Sequence, residues 1–287
     1  MRVPDISQDA TYQEAERLAS SFLESIGENP QEARWLLLER NGWNLTEWLL
    51  NVHKKMPQAV KMQFQKDLNR KAQKEPLQYI LGEVEFLGEK YQVSPATLIP
   101  RPETEWWLEK ALAHLNDKKG LRVLDIGTGS GVIAISHKLQ RPQDEVVATD
   151  ISRKALAVAQ ENAKKLKADI NFGVGDLFEP VKGQTFDVIY SNPPYIGREE
   201  WSEVDAAVLA YEPHEALFAE EAGYALYRQI AEQFSNYLTP NGQLFLEIGY
   251  KQTQKVTTFF EEVAPAALIE CWRDLYGKDR LIHVKWI

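Results

Sequence analysis

The stretch VLDIGTGSG, residues 123–131, decides the fold of this chain. Its first residues are typical of a buried β-strand, and the residues that follow it, VIAISHKLQ, have the apolar pattern of an α-helix. Between them lie Gly127, Gly129 and Gly131, which allow positive φ angles and the close approach of a ligand to the backbone. The stretch therefore predicts a strand, a ligand-binding turn and a helix in immediate succession.

The same alternation continues toward the end of the chain. Apolar, β-branched strands alternate with amphipathic helices, which indicates an α/β fold whose mostly parallel sheet is covered on both faces. Residues 267–287 read as two strands joined by a turn at Gly277, so the last strand is expected to run antiparallel. The other predicted elements are the strands 145–150, 170–176, 187–192 and 242–249 and the helices 152–167 and 224–238.

The first 75 residues have a helical pattern instead. Four short helices with short connections predict a small bundle. Within it, residues 54–74 carry seven basic side chains against Asp67 alone, which form either a solvated helix face or a docking patch for an acidic or RNA-associated partner. The helix starts are indicated by Thr11 with Glu14, Asn29 with Pro30, Asn44 with Glu47, and Pro57.

A short segment separates this bundle from the α/β part. VEFLGEKYQV, residues 84–93, is expected to form two strands around a turn at Gly88. SPATLIPRPETE, residues 94–105, has three prolines close together, which predicts a shaped loop, and a helix is expected from Thr104 onward. The chain therefore divides into segments 1–75, 76–100 and 101–287.

Composition and charge restrict the class of protein. The chain has 287 residues, 44% hydrophobic and 26% charged, as expected for a globular protein of two domains. The net charge of −9 argues against a duplex nucleic-acid binder, and no apolar run is long enough to suggest a membrane span. A single cysteine, Cys271, and an N-terminus without a signal-peptide pattern favour a cytoplasmic location. The histidines are scattered without metal-ligand spacing, so no metal is expected.

Carboxylates accompany the ends of the first three strands of the α/β part. Asp125 lies in the first strand, and Asp150 closes the second, where a carboxylate can bind two ribose hydroxyls. Asp176 follows the third strand at a place suited to an adenine amino group, with Leu177 against the ring. Because the carboxyl ends of parallel strands share one edge, we expect these residues and the glycine turn to line one cleft.

The glycine turn lacks the features of a phosphate site. Its G-x-G-x-G spacing is one residue shorter than the dinucleotide fingerprint, and it contains neither G-K-[ST] nor any lysine or arginine. A ligand with an adenosine and an ammonium group but no phosphate fits better. S-adenosyl-L-methionine has both and leaves S-adenosyl-L-homocysteine as its product, and Asp125 is expected to receive the ammonium directly or through backbone and water.

SNPPYI, residues 191–196, predicts a rigid corner at the end of the fourth strand, on the same edge. The side-chain oxygen of Asn192 and the backbone oxygen of Pro193 can accept both N–H groups of a planar NH2, which turns its lone pair toward an electrophilic methyl group. Pro193 and Pro194 fix that carbonyl, and Tyr195 can stack on the planar group. The corner therefore predicts methyl transfer by positioning, with adenine and a glutamine amide both open as acceptors.

The chain resembles the PrmC family, also called HemK, which methylates a glutamine side chain of peptide chain release factors. NPPY alone is shared with N6-adenine methyltransferases, whereas IPRPETE and a helical domain before the catalytic one are more particular to this family. The motifs follow the family's order over nearly the whole chain: EPLQYILGEVEFLG (75–88), IPRPETE (99–105), VLDIGTGSG (123–131), SNPPYI (191–196), YEPHEAL (211–217) and RDLYGKDR (273–280).

The resemblance implies a helical substrate-binding domain over residues 1–75, a hairpin and linker over 76–100, and a seven-stranded Rossmann-like methyltransferase domain over 101–287. It implies a monomer that uses S-adenosyl-L-methionine to methylate the GGQ-motif glutamine of release factors, with no membrane or nucleic-acid partner. The implied cofactor residues are Gly127, Thr128, Gly129, Ser130, Gly131, Asp150, Asp176, Leu177 and Asn192. The implied substrate residues are Arg101, Asn192, Pro193, Pro194 and Tyr195, of which Asn192, Pro193 and Tyr195 are catalytic.

Several alternatives stay open. Leu177 stands where some family members carry tryptophan. Leucine keeps an apolar contact with adenine but loses the stacking. Arg101 and Glu103 either face the cleft or pair with each other to brace their loop. For the whole chain the alternatives are an N6-adenine methyltransferase acting on DNA or RNA, which the acidic balance disfavours, and a non-catalytic partner of translation factors.

Overall fold

The computed structural model describes residues 3–287, which form two compact units. One unit ends at Glu83, and the other runs from Val84 to Ile287. The hairpin after the division therefore packs with the second unit, where Phe86 and Tyr91 are buried in the core. No helix in the described part of the chain is long and apolar enough to cross a membrane.

The first unit is a helical bundle. One stripe of each long helix is apolar, and the side chains of Leu23, Leu36, Leu37, Phe64 and Leu68 are buried in a shared core. Burial of these stripes holds the short helices together, since helices of this length are marginal alone. Its helices are α1 (Tyr12–Ser25), α2 (Glu32–Asn41), α3 (Leu45–Asn51), α4 (Gln58–Lys71) and α5 (Leu77–Leu81).

One of the predicted helix starts in the bundle differs from the structure, and one helix of the bundle was not predicted. Thr11 and Asn44 form capping boxes that begin α1 and α3, as predicted. The predicted start at Pro30 is wrong by two residues, because the Asn29 side chain accepts a hydrogen bond from a backbone N–H instead and α2 begins later. Helix α5 was not expected, because a proline such as Pro76 usually interrupts a helix. In the structure Pro76 directly precedes the first residue of α5, where a missing backbone N–H is tolerated.

Much of the basic stretch over residues 54–74 is paired inside the bundle. Lys71 is buried and forms ion pairs of 2.6 and 2.8 Å with two glutamates. Asp67 is fully buried and accepts hydrogen bonds of 2.8 and 3.0 Å from Arg40. The stretch is therefore not a uniformly solvated face, because part of its charge neutralises carboxylates of the same unit.

The second unit is built on a seven-stranded sheet. Its strands are β3 (Arg122–Ile126), β4 (Glu145–Asp150), β5 (Ile170–Val174), β6 (Phe186–Ser191), β7 (Leu238–Glu247), β8 (Leu268–Arg273) and β9 (Asp279–Lys285), after the hairpin of β1 (Glu83–Phe86) and β2 (Glu89–Gln92). The strand order is β5-β4-β3-β6-β7-β9-β8, with β9 antiparallel to both its neighbours and the other pairs parallel. The predicted sheet with an antiparallel last strand is confirmed.

Helices bury both faces of this sheet, since adjacent strand residues such as Val123 and Leu124 belong to different core clusters. Helix α6 begins at Pro102 rather than at the predicted Thr104, because proline is well tolerated at the first helical position. Helices α9, α10 and α12 were not predicted from the sequence. The helices are α6 (Pro102–His114), α7 (Val132–Gln140), α8 (Arg153–Leu166), α9 (Ala206–Tyr211), α10 (Glu220–Gly223), α11 (Ala225–Gln233) and α12 (Thr253–Val263).

Candidate active site

The predicted site residues meet at one edge of the sheet, as the strand order requires. Strand β3 pairs with β4 on one side and with β6 on the other, and open α/β sheets bind ligands outside the carboxyl ends at such a reversal. A cavity of about 490 Å³ lies at this edge. Its wall includes the predicted residues Arg101, Gly127, Thr128, Gly129, Ser130, Asp150, Asp176, Leu177, Asn192, Pro193 and Pro194.

The glycines of the turn have two different roles. Gly127 and Gly129 have φ angles of 70° and 57°, line the cavity, and would place a Cβ in open space with nothing within 4 Å. Gly131 does not line the cavity. A Cβ there would lie 2.8 Å from Ile135 Cδ1 and 3.1 Å from Ala159 Cβ, so this glycine permits the close packing of α7 and α8.

Asp150 ties the glycine turn to the end of β4. Its Oδ2 accepts a hydrogen bond from Gly129 N (2.9 Å), and its Oδ1 accepts one from Ser152 N (2.8 Å). Burial raises the pKa of Asp150. Each carboxylate oxygen has a second lone pair, so the side chain can hold the loop and still accept hydrogen bonds from a ligand in the cavity.

Asp125 lies behind the turn and does not line the cavity. It is fully buried, and its Oδ2 accepts hydrogen bonds from Thr128 Oγ1 (2.6 Å) and Ala134 N (3.3 Å). Its Oδ1 is buried without a hydrogen-bond partner among residues 3–287. Burial raises the pKa of Asp125 to about 7. Its visible role is to brace the turn, and the expected contact of Asp125 with an ammonium group stays a prediction.

The raised pKa of Asp125 predicts that the protein without ligand loses stability as the pH rises. The carboxyl has an ordinary pKa of 3.8 when exposed and about 7 when buried, so the folded protein holds the proton more tightly. Its contribution to stability is fully present below pH 4 and is lost as the pH rises toward 7, by up to about 1.4 kcal/mol per pH unit. Urea unfolding of wild type and Asp125→Asn from pH 5 to 8 measures this.

The side chain at position 125 cannot ionise in Asp125→Asn. The unfolding free energy of wild type should therefore fall relative to that of the variant as the pH rises from 5 to 7. Burial lowers the pKa values of His137 and His283, but these groups are present in both proteins and their contributions cancel in the difference. Parallel curves would contradict the prediction.

The SNPPYI corner lies between two cavities. Asn192 and Pro193 line the larger cavity and also a second one of about 310 Å³, whose wall includes Tyr195, Arg101 and Glu247. The side-chain nitrogen of Asn192 donates a hydrogen bond to Thr104 Oγ1 (3.2 Å). The amide oxygen of Asn192 is therefore left available as an acceptor where the two cavities meet.

A left-handed turn within α10 supports this corner. Glu221, Ala222 and Gly223 have φ angles of 55°, 55° and 84°, a rare run for residues with side chains. A Cβ at Gly223 would overlap the carbonyl oxygen of Tyr195, which also accepts a hydrogen bond from Gln252 Nε2 (2.9 Å). The backbone of the corner is thus fixed from two sides, and only glycine fits at position 223.

Arg101 does not pair with Glu103, so that alternative is wrong. Its guanidinium binds Glu212 Oε1 at 2.6 Å, and Glu212 also accepts a hydrogen bond from Ile99 N (3.0 Å). Glu103 lies 3.5 Å from Arg280 instead. Arg101 therefore fastens the proline-rich loop to the segment after α9 while it lines both cavities.

Two residues next to the corner were missed by sequence reasoning. Thr104 and Glu247 are buried and hydrogen-bonded to each other at 2.7 Å. Glu247 ends strand β7 directly after the apolar run from Leu244 to Leu246, at the same sheet edge as the residues above. A carboxylate in that position is a signal of the kind that identified Asp150, and it was available in the sequence.

Comparison with known proteins agrees with this arrangement. The model of the PrmC N-terminal domain matches residues 14–82, and that of the methyltransferase small domain matches residues 109–220. The release factor glutamine methyltransferase of Enterococcus faecalis is 43% identical over 270 residues, which are 94% of this chain and 97% of the relative. The chain belongs to the release factor glutamine methyltransferase family. The enzyme of that name from Lactococcus lactis is likewise 43% identical, over 95% of this chain and 98% of its own.

Membership in the release factor glutamine methyltransferase family confirms the resemblance seen in the motifs. A solved methyltransferase from Pyrococcus furiosus is similar in fold, with a TM-score of 0.53 and 18% identity, over 69% of this chain and 89% of its own. That likeness concerns the fold alone, and it agrees with the Rossmann-like sheet described above.

Proposed function

We propose that this protein transfers a methyl group from S-adenosyl-L-methionine to the side-chain N5 of a glutamine in a peptide chain release factor, which modulates translation termination. The observation that carries the proposal is the place of Asn192 and Pro193 in the wall common to both cavities. A corner of this kind can position an NH2 group between donor and acceptor sites. Family membership supports a glutamine amide, rather than adenine, as the acceptor.

The larger cavity fits the donor. Asp150 offers acceptor lone pairs for two ribose hydroxyls, Asp176 lines the cavity and can accept a hydrogen bond from an adenine amino group, and Leu177 presents an apolar surface with 9% exposure. The open space over Gly127 and Gly129 admits a ligand against the backbone. Among residues 3–287, Arg101 is the one cationic side chain on this wall, and it is bound to Glu212, which suits a ligand without phosphate.

The residues of the corner then orient the acceptor amide. When bound, the donor supplies an electrophilic methyl group on a sulfonium. The Asn192 Oδ1 and the Pro193 carbonyl oxygen accept the two N–H groups of the glutamine amide, so its lone pair is directed out of the amide plane. The ring of Tyr195 covers the amide and stabilises the positive charge that develops on nitrogen.

No base has to act before methyl transfer. The amide nitrogen is a poor nucleophile because its lone pair is delocalised, and its proton becomes acidic only when the new N–C bond forms. The new N–C bond replaces the bond between the methyl group and sulfur, so the donor would leave as neutral S-adenosyl-L-homocysteine, and one N–H proton of the methylated amide would pass to solvent water. The hydrogen bonds to Asn192 and Pro193 would orient that proton until it leaves. Catalysis is therefore attributed to positioning and electrostatics, not to an activated side chain.

A labelled transfer assay tests the proposal. Purified protein is incubated with methyl-labelled S-adenosyl-L-methionine and a bacterial release factor, and mass spectrometry locates the label. We expect the label on one glutamine, and none on the same release factor after that glutamine is replaced by glutamate. Label in DNA or RNA but not in the release factor would contradict the proposal and favour the adenine alternative.

We also propose that the helical first unit binds the release factor, and that the protein acts as a monomer in the cytoplasm. Helix α3 supports the binding role, because Leu45, Leu49 and Leu50 are 64%, 70% and 71% exposed on this short helix. Exposed apolar patches mark interaction sites more often than chance surface residues do. Size-exclusion chromatography with light scattering tests the monomer.

Charges on this patch should weaken binding of the protein substrate. We expect the double variant Leu49→Glu with Leu50→Glu to raise KM for the release factor about 10-fold, with kcat and the Kd for the cofactor little changed. Met62, 54% exposed on α4, gives the matched control Met62→Glu. An equal rise in KM for the control, or no rise for the double variant, would show that this patch is not the contact.

A further inference from the structure

Catalysis by the corner depends on which way the Asn192 amide points. An asparagine side chain can present either its oxygen or its NH2 to a cavity, and the two orientations have almost the same shape. The Asn192 side chain can accept a hydrogen bond from a substrate amide N–H only when its oxygen points toward the site of that amide. The structure has the nitrogen of Asn192 directed at Thr104 Oγ1, 3.2 Å away.

Thr104 cannot form a hydrogen bond with Asn192 in the other orientation. Its hydroxyl carries a single hydrogen, which it donates to Glu247 Oε2 at 2.7 Å. It can therefore only accept a hydrogen bond from Asn192. If the amide rotated by 180°, the Asn192 oxygen would face the Thr104 oxygen with no hydrogen between them, in a place where Thr104 is 3% exposed.

Glu247 is fixed as an acceptor by a second donor. Its Oε2 also accepts a hydrogen bond from Trp107 Nε1 at 2.6 Å, and an indole N–H can only donate. Both Trp107 and Glu247 are buried. The direction of each hydrogen bond is thus determined. Trp107 and Thr104 donate to Glu247, and Asn192 donates to Thr104. These directions are the same whether or not Glu247 Oε1 carries a proton.

We propose that Thr104 and Glu247 are positioning residues that hold the Asn192 amide with its oxygen toward the substrate NH2. The inference rests on the proposed function, because it assigns a task within the same methyl-transfer site. It adds two residues from elements far apart in the chain: Thr104 in the first turn of α6 and Glu247 at the end of β7. Neither residue needs to contact the reacting atoms.

Removal of the Thr104 hydroxyl tests the inference. Thr104→Val keeps a branched side chain but lacks the acceptor, so the Asn192 amide can rotate. We expect kcat to fall about 10- to 100-fold, with the Kd for S-adenosyl-L-methionine and the KM for the release factor within about threefold of wild type. Thr104→Ser retains the hydroxyl and should restore most of kcat. A Thr104→Val enzyme with wild-type kcat would overturn the inference.

A double-variant cycle separates positioning from a general structural effect. If Thr104 acts through Asn192, then Thr104→Val should lower kcat in the wild-type background but have no further effect in Asn192→Ala. An equal fold-loss in both backgrounds would mean that the hydroxyl only stabilises the fold, and would overturn the inference.

Hydrogen exchange gives a readout that does not depend on activity. The Asn192 side-chain NH2 signal is assigned in the ligand-free protein by its absence in Asn192→Ala. We expect one N–H to be protected from exchange in wild type and Thr104→Ser. Rapid exchange of both hydrogens in wild type would overturn the inference even if Thr104→Val fails to fold. If wild type does not methylate a release factor, the proposed function fails while this measurement still decides the orientation.

Discussion

The Asn192→Ala variant is expected to transfer methyl groups at least ~100-fold more slowly than wild type, while the Kd for the cofactor rises much less. Asn192 borders both cavities, but the larger one offers the proposed donor many other lining residues. The substrate NH2 group has few hydrogen-bond acceptors in the proposed site, and without the Asn192 oxygen its lone pair is no longer oriented toward the methyl group. The interaction is strongest when the nitrogen is reacting, so the loss falls on kcat. Single-turnover kinetics with release factor and isothermal titration with the cofactor measure the two quantities.

A matched control for this variant is Asn171→Ala. Asn171 is an exposed residue of β5 and lines neither cavity, so its replacement tests the general effect of losing an asparagine on a strand. Unchanged kcat in Asn192→Ala would exclude the role given to this residue. A similar loss in the control would point to the sheet rather than the site.

The second large effect is expected at Asp150. We expect Asp150→Ala to raise the Kd for S-adenosyl-L-methionine by about 100-fold or more, since hydrogen bonds to a charged group contribute about 1.5–3 kcal/mol each and two are lost. The variant also releases the bonds from Gly129 N and Ser152 N, so the glycine turn loses its support. Titration with S-adenosyl-L-homocysteine measures binding without turnover.

Asp169→Ala is the control for that change, because Asp169 is exposed and does not line the cavity. Its Kd should stay within about twofold of wild type. An unchanged Kd in Asp150→Ala would place the ribose elsewhere in the cavity. A Kd that rises equally in both variants would indicate a long-range charge effect, which added salt would screen.

The sheet and the glycine turn were predictable because their signals are local. Each strand is a short apolar run, and the turn between β3 and α7 lies within residues 123–131. Parallel strands present their carboxyl ends together, so residues such as Asp150 and Asn192 could be assigned to one edge from strand order alone. Local pattern and a general rule of topology were sufficient there.

The contacts that align the site were not predictable in this way. Arg101 and Glu103 are close in sequence, and pairing them was the simplest choice, but residues two apart at a helix start do not face each other. The true partner, Glu212, lies 111 positions away. Helix α12 was also missed, although Val256 and Phe260 are spaced and buried as in an amphipathic helix.

The separation of these contacts has a consequence for how the corner is assembled. Asn192 is bound by Thr104, 88 positions earlier, Thr104 by Glu247, 143 positions later, and the Tyr195 carbonyl by Gln252, 57 positions later. Closing such long loops is slow compared with forming the helices or the glycine turn. We therefore infer that the corner is completed late in folding, after β7 has joined the sheet. A chain still on the ribosome, synthesised only as far as the NPPY motif, would carry the motif without its catalytic geometry, which pulsed hydrogen exchange during refolding can test.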